Sequence, residues 1–135
     1  LHEEAFDDFA DLMKKTNILI VGDDLLVTNA NILQKSIEKQ SCNAGILKVN
    51  QAGSLGDALE FSKIANDNNI SLITSHRSGD TVDPHIAHIA VATNSIMIKS
   101  GVVGGERISK LNELLRIDEL SFISEGISMP LVEKL

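Results

Sequence analysis

The sequence predicts an α/β chain in which parallel strands alternate with helices, laid out as part of a β/α barrel. Two observations point there. Four short runs, Ile18 to Gly22, Ala44 to Val49, Ile70 to Thr74 and Ser95 to Ile98, are apolar without alternation, as strands buried on both faces of a parallel sheet read. Around them lie stretches with helical spacing, giving one helix and then strand followed by helix four times.

The first helix is expected over Glu3 to Lys15, with Phe6, Phe9, Ala10 and Met13 on one face. Acids in its first turn and Lys14-Lys15 in its last complement the helix dipole. After the first strand, Thr28 to Lys39 reads as a helix, and after the second so does Ser54 to Asn66, opened by the capping pattern Ser54-x-x-Asp57. Asp83-Pro84 reads as an N-cap followed by a first-turn proline, so a helix runs from there to about Asn94. A last helix is expected over Gly105 to Leu115. No linker or block of like charge divides the 135 residues, which read as a single unit.

The bulk properties narrow the function. A hydrophobic content of 43% supports a buried core. A net charge of -7 and a pI near 4.9 argue against nucleic acid or an anionic membrane surface as partner. The single cysteine, Cys42, has no internal disulfide partner, and no leader or long apolar span stands out. A soluble cytoplasmic protein is the expectation. The chain opens on Leu1 rather than methionine, so a piece of a longer protein is expected.

One polar residue follows or ends each strand: Asp23, Lys48, His76 and Lys99, spaced by about one βα unit. This pattern is expected to deliver four groups to the carboxyl-terminal edge, where β/α barrels gather their catalytic residues. The run Ser75-His76-Arg77-Ser78-Gly79-Asp80 adds a guanidinium, hydroxyls and a glycine suited to a small anion. Lys48 and Lys99 have a bland reading as strand-end lysines reaching for solvent. Buried near a cation, either would become a usable base. Asp23-Asp24 is either a solvated turn or the source of a hard oxygen ligand for Mg²⁺, with Asp23, nearer the strand, the better candidate. His85 and His88 share a helix face but have no third ligand in view, and read as surface residues. Gly101, Gly104 and Gly105 form either an anion-binding loop before a helix or an ordinary turn. His2 and Cys42 read as structural.

Taken together, Val21-Gly22-Asp23-Asp24-Leu25, Leu47-Lys48-Val49-Asn50-Gln51, Ser75-His76-Arg77-Ser78-Gly79 and Ile98-Lys99-Ser100-Gly101 resemble the enolases. The stretch from Gly105 to Ile117 adds to the likeness, and the short Gly101-Val102-Val103-Gly104-Gly105-Glu106-Arg107 form resembles the archaeal type. The resemblance runs from Leu1 to about Leu120 and implies half of a TIM-type β/α barrel. It also implies the conversion of 2-phosphoglycerate to phosphoenolpyruvate in glycolysis and gluconeogenesis, with a lysine base and Mg²⁺ as cofactor. On that likeness Lys48 is the base that removes the proton alpha to the carboxylate. Asp23 is one of three acidic Mg²⁺ ligands, and Lys99 helps the metal stabilise the ene-diolate. His76 joins the catalytic set, and Ser75, His76, Arg77, Ser78 and Lys99 hold the substrate, with Arg77 and Ser78 on its phosphate.

The likeness also implies departures. The family's other metal-binding carboxylates, its second acid and its amino-terminal domain correspond to sequence upstream of Leu1, so the isolated chain is expected to be inactive. It is further expected to form a homo-oligomer or to associate with that amino-terminal half. Asp80 replaces the family's usual glutamate, and the end around Met129-Pro130-Leu131 departs from its pattern. Two competing readings are a non-catalytic interaction module and another lyase of the enolase superfamily. Retention of two strand-end lysines speaks against the first, and the phosphate-suited loop against the second.

Overall fold

In the computed structural model, residues 1–123 are described, with side chains to residue 120; the Met129-Pro130-Leu131 segment lies outside them. The order is α1 (Phe6–Met13), β1 (Val21–Gly22), α2 (Ala30–Lys39), β2 (Ala44–Leu47), α3 (Val49–Ala52), α4 (Leu55–Asp67), β3 (Ser71–Ser75), α5 (His85–Ala92), β4 (Met97–Lys99) and α6 (Gly105–Ile123). The four strands form one sheet in the order β1-β2-β3-β4. This is the α/β alternation expected of part of a barrel. The chain gathers into two compact units, Leu1–Ile73 and the residues from Thr74 onward.

In the first unit β1 and β2 pair in parallel, with Val21 opposite Ala44 and Gly22 opposite Gly45. The two facing glycines make room for Leu26. A Cβ on Gly22 would stand 2.7 Å from Leu26 Cγ, and one on Gly45 3.0 Å from Leu26 Cδ1, closer than packed carbons approach. Leu26, Leu33, Leu47, Phe61 and Leu72 fill the core of this unit. Phe6 and Ala10 are buried on α1, whose inner face is the one the spacing indicates.

Several boundaries moved, each for a visible reason. Strand β1 is shorter than the run Ile18 to Gly22, because the Asn43 side chain takes over the pairing ahead of it. Its Oδ1 accepts from Ile20 N at 2.7 Å, its Nδ2 donates to the Ile18 carbonyl at 3.2 Å, and Ile18 lies 66% exposed. Strand β2 ends at Leu47 because the Lys48 amide donates to the Thr28 hydroxyl at 3.0 Å, and the short helix α3 follows at once. Helix α2 begins at Ala30 rather than Thr28, where Asn29 caps it, its Oδ1 accepting from the amides of Asn31 and Ile32. Ser54 caps α4 as its pattern indicates.

In the second unit Ile86, Ala87 and Ala90 of α5 are buried, and α5 packs on α6. The helix begins at His85, one residue later than expected, with Pro84 at the cap position. The Asp83 carboxylate still does the capping, accepting from the His85 amide at 2.8 Å. A buried chain of hydroxyls links Thr74 to Ser95 at 2.8 Å and Ser95 to Thr93 at 3.0 Å. Strand β4 corrects the expectation of four strands buried on both faces: Met97 is 42% exposed, and Lys99 is exposed as well. As the last strand in the sheet order it has a neighbour on one side only among the described residues. Helix α6 extends well past Leu115. Gly104, with φ +95 immediately before it, sits where a side chain would be strained. Among the described residues, no helix is long and apolar enough to cross a membrane.

Candidate active site

Asp23 is the first residue past β1. Its carbonyl accepts from the amides of Leu26 and Val27 at 3.1 and 2.9 Å, turning the chain back over the sheet. The turn continues through Val27 (φ 44) and Thr28 (φ 51), two β-branched residues in the left-handed region, where such side chains are strained. Thr28 is 1% exposed. Its hydroxyl accepts from the Lys48 amide, and Oγ1, with a single proton to donate, lies 3.2 Å from both the Ile46 carbonyl and Gln51 Oε1. One threonine thereby ties the exit of β1 to the exit of β2.

From that fixed backbone the Lys48 side chain, 12% exposed, places its ammonium on Asp23 Oδ1. Lys48 does not reach for open solvent, and Asp23 rather than exposed Asp24 receives it. Asp23, Asp24 and Glu3 line a cleft of about 490 Å³ together with His2 and Leu25. Those carboxylates suit a hard cation, and Mg²⁺ needs only one or two of them beside water and substrate oxygens. Among the described residues, no three His, Cys, Asp or Glu side chains form a ready metal cluster. A cation on Asp23 would compete with Lys48 for the same carboxylate.

In the second unit Ser75, the last residue of β3, is buried, and its hydroxyl donates to the His76 carbonyl at 3.0 Å. The His76 amide donates to the Lys99 carbonyl at 3.1 Å, joining the exits of β3 and β4. Arg77, Ser78 and Gly79 follow as an exposed tip, after which Asp80 returns to a side-chain exposure of 12%. Two cations of α6 serve this loop. The Arg107 guanidinium meets the His76 ring and lies 3.5 Å from the Arg77 carbonyl. Lys110, fully buried, stands 3.2 Å from Asp80 Oδ2 and donates to the carbonyls of Thr81 and Glu106.

The structure thus pairs Asp23 with Lys48 in the first unit. In the second it gathers Ser75, His76 and the Lys99 backbone at the root of the loop that carries Arg77 and Ser78. Sequence reasoning missed Thr28, Arg107 and Lys110. The three-residue spacing of Arg107 and Lys110, which puts two cations on one helix face, was the available signal for those two.

The other candidates have local partners. His85 Nδ1 lies 2.9 Å from Asp83, and His88 Nε2 2.5 Å from Glu113, so the two histidines serve different carboxylates. Arg116, and then His88, hold the Glu113 carboxyl down to about 2. Cys42 is a buried free thiol 3.2 Å from the Ser36 hydroxyl, and burial raises its pKa. Gly101 packs near the Arg107 side chain.

The comparisons agree with the resemblance. The family model described as "Enolase, C-terminal TIM barrel domain" matches residues 1–126. The enolase of Archaeoglobus fulgidus is 52% identical over 120 residues, covering 89% of this chain and 30% of that protein. The enolase of Picrophilus torridus is 48% identical over 121 residues, with 88% and 30% covered, and that of Methanosphaera stadtmanae 51% identical over 121 residues, with 88% and 29% covered. The chain therefore spans about 30% of the length of these curated relatives. By the extent of the family match and the level of identity, this chain belongs to the enolase family and represents part of its C-terminal TIM-barrel domain.

Proposed function

We propose that the chain contributes the proton-abstracting and phosphate-holding residues of a phosphopyruvate hydratase, a lyase acting on 2-phosphoglycerate. The observation that carries this reading is the Asp23–Lys48 pair: a half-buried lysine held at the exit of β2 by Thr28, with its ammonium on a carboxylate at the exit of the neighbouring strand. A lysine merely covering apolar surface needs neither the strained turn nor the partner.

In the proposed reaction Lys48 Nζ leaves Asp23, gives up one proton to water and, as the free amine, takes the proton from the carbon alpha to the substrate carboxylate, becoming an ammonium again. The electron pair released moves into the carboxylate, where the Lys99 ammonium offsets the added charge. Collapse of that electron pair then forms the double bond and expels the hydroxyl of the neighbouring carbon, which departs as water with a proton from an acid that none of these residues supplies. Arg77 donates to the phosphate as a fork, Ser78 adds its hydroxyl, and Ser75 and His76 hold the root of the loop. Asp23 would hold Mg²⁺, and when bound the ion supplies further positive charge for the substrate carboxylate. A cytoplasmic location, and association with an amino-terminal half or a second copy, go with this reading.

The test is complementation. The chain alone is expected to show no dehydration of 2-phosphoglycerate. Mixed with the remaining, amino-terminal part of the A. fulgidus relative and Mg²⁺, it is expected to turn substrate over, with Lys48→Ala lowering the rate about 10²–10⁴-fold. No turnover in any mixture, or turnover indifferent to Lys48→Ala, overturns the proposal and favours an interaction module.

A further inference from the structure

A lysine with no exposed surface is uncommon, and Lys110 is one. Withdrawing an ammonium from water costs more than an ordinary surface ion pair returns, so the site around it must answer all of its donors. Two carbonyls accept from it, Glu106 at 2.6 Å and Thr81, and a carboxylate balances its charge, with Asp80 Oδ2 at 3.2 Å. That carboxylate oxygen is itself buried and makes no hydrogen bond of good geometry, so its link to Lys110 is chiefly Coulombic. His76, at 4.0 Å from the same oxygen, is charged only when protonated.

The place of this pair in the chain gives it meaning. Asp80 is the only acid in the loop Ser75 to Asp80. One end of the loop is fixed by buried Ser75 and by the His76 amide on the Lys99 carbonyl. The other is fixed at Asp80 and Thr81 by Lys110. Between these anchors Arg77, Ser78 and Gly79 are exposed, and a Cβ on Gly79 would meet nothing within 4 Å. Without Lys110 a free carboxylate would stand three residues from Arg77 and compete with any anion for it.

We propose that Lys110 is a positioning residue of the anion loop that acts through Asp80: it cancels the charge of that carboxylate, leaving Arg77 and Ser78 for an incoming phosphate group. This rests on the reading of Arg77 and Ser78 as phosphate donors.

The experiment titrates the ¹⁵N-labelled chain with inorganic phosphate and follows the amides of Ser78 and Gly79 by NMR, with overall shift dispersion reporting the fold. Lys110→Met, which exposes the Asp80 charge, is expected to weaken phosphate binding about tenfold. Adding Asp80→Asn to it removes the carboxylate too, and binding is expected to return to within about threefold of the unsubstituted chain. A folded Lys110→Met chain that binds phosphate normally overturns the proposal. So does a double variant still about tenfold weak, because a purely structural lysine would harm both alike. Where Lys110→Met alone does not fold, Lys110→Gln, which can still donate to a carbonyl but leaves the Asp80 charge uncancelled, takes its place in the comparison and is read in the same two ways. An unsubstituted chain whose Ser78 and Gly79 amides ignore phosphate overturns the loop reading beneath the proposal, a failure visible before any substitution is made.

Discussion

Past β1 the chain holds two β-branched residues in succession at positive φ, and the return on that strain is a single hydroxyl. Thr28 Oγ1 receives the Lys48 amide and faces the Ile46 carbonyl in a buried setting. Replacing it with valine keeps the shape but leaves the Lys48 amide without its acceptor. Thr28→Val is therefore expected to cost about 1–3 kcal/mol in urea unfolding. Thr28→Ser, which keeps the hydroxyl, should recover most of that loss; equal losses in both variants would mean that the methyl rather than the hydroxyl matters. The sequence singles out Asp23 and Lys48 because a lysine at the end of an apolar run is locally anomalous. It cannot single out Thr28, whose partners lie 18 and 20 residues away and leave no spacing to read. The spacing of Lys110 from Arg107 puts two cations on one helix face, but nothing around Lys110 in sequence says that it is buried.

The elements were legible where local chemistry decides them. Ser54 caps its helix as its pattern indicates, because a short polar side chain satisfies otherwise orphaned amides. Strand β2 is buried at all four positions as an apolar run without alternation suggests. Element ends moved where a distant side chain intervened, as Asn43 does ahead of β1, and β4 is exposed because position in the sheet, which no local run encodes, decides burial. The contact between α5 and α6 has a measurable signature. Glu113 of α6 accepts from Arg116 and His88, and its pKa falls from 4.5 to about 2. A group whose pKa is lowered on folding stabilises the fold above its unfolded value and loses that contribution as pH falls through the folded one. The urea midpoint is thus expected to drop as pH falls from about 4.5 to about 2. Glu113→Gln should flatten part of that drop, and an unchanged acid slope in the variant would remove Glu113 as its source.

At the scale of the molecule, the alternation of parallel strands and helices was readable from four apolar runs, and the family from four short motifs at their ends. The division into units at Ile73 and Thr74 was not readable, because it falls inside the apolar run of β3, where neither composition nor a linker marks it. Acidity is a property of the whole chain, whereas the proposed anion chemistry is local, resting on Arg77, Lys48 and Lys99 within a net charge of -7. The most direct check on that chemistry concerns one proton. In the complemented mixture, in D₂O with Mg²⁺, 2-phosphoglycerate is expected to exchange the hydrogen alpha to its carboxylate for deuterium, and Lys48→Ala is expected to lower that exchange about 10²–10⁴-fold together with turnover. Exchange that persists at its original rate in Lys48→Ala would assign the base to another residue and leave Lys48 without the role proposed for it.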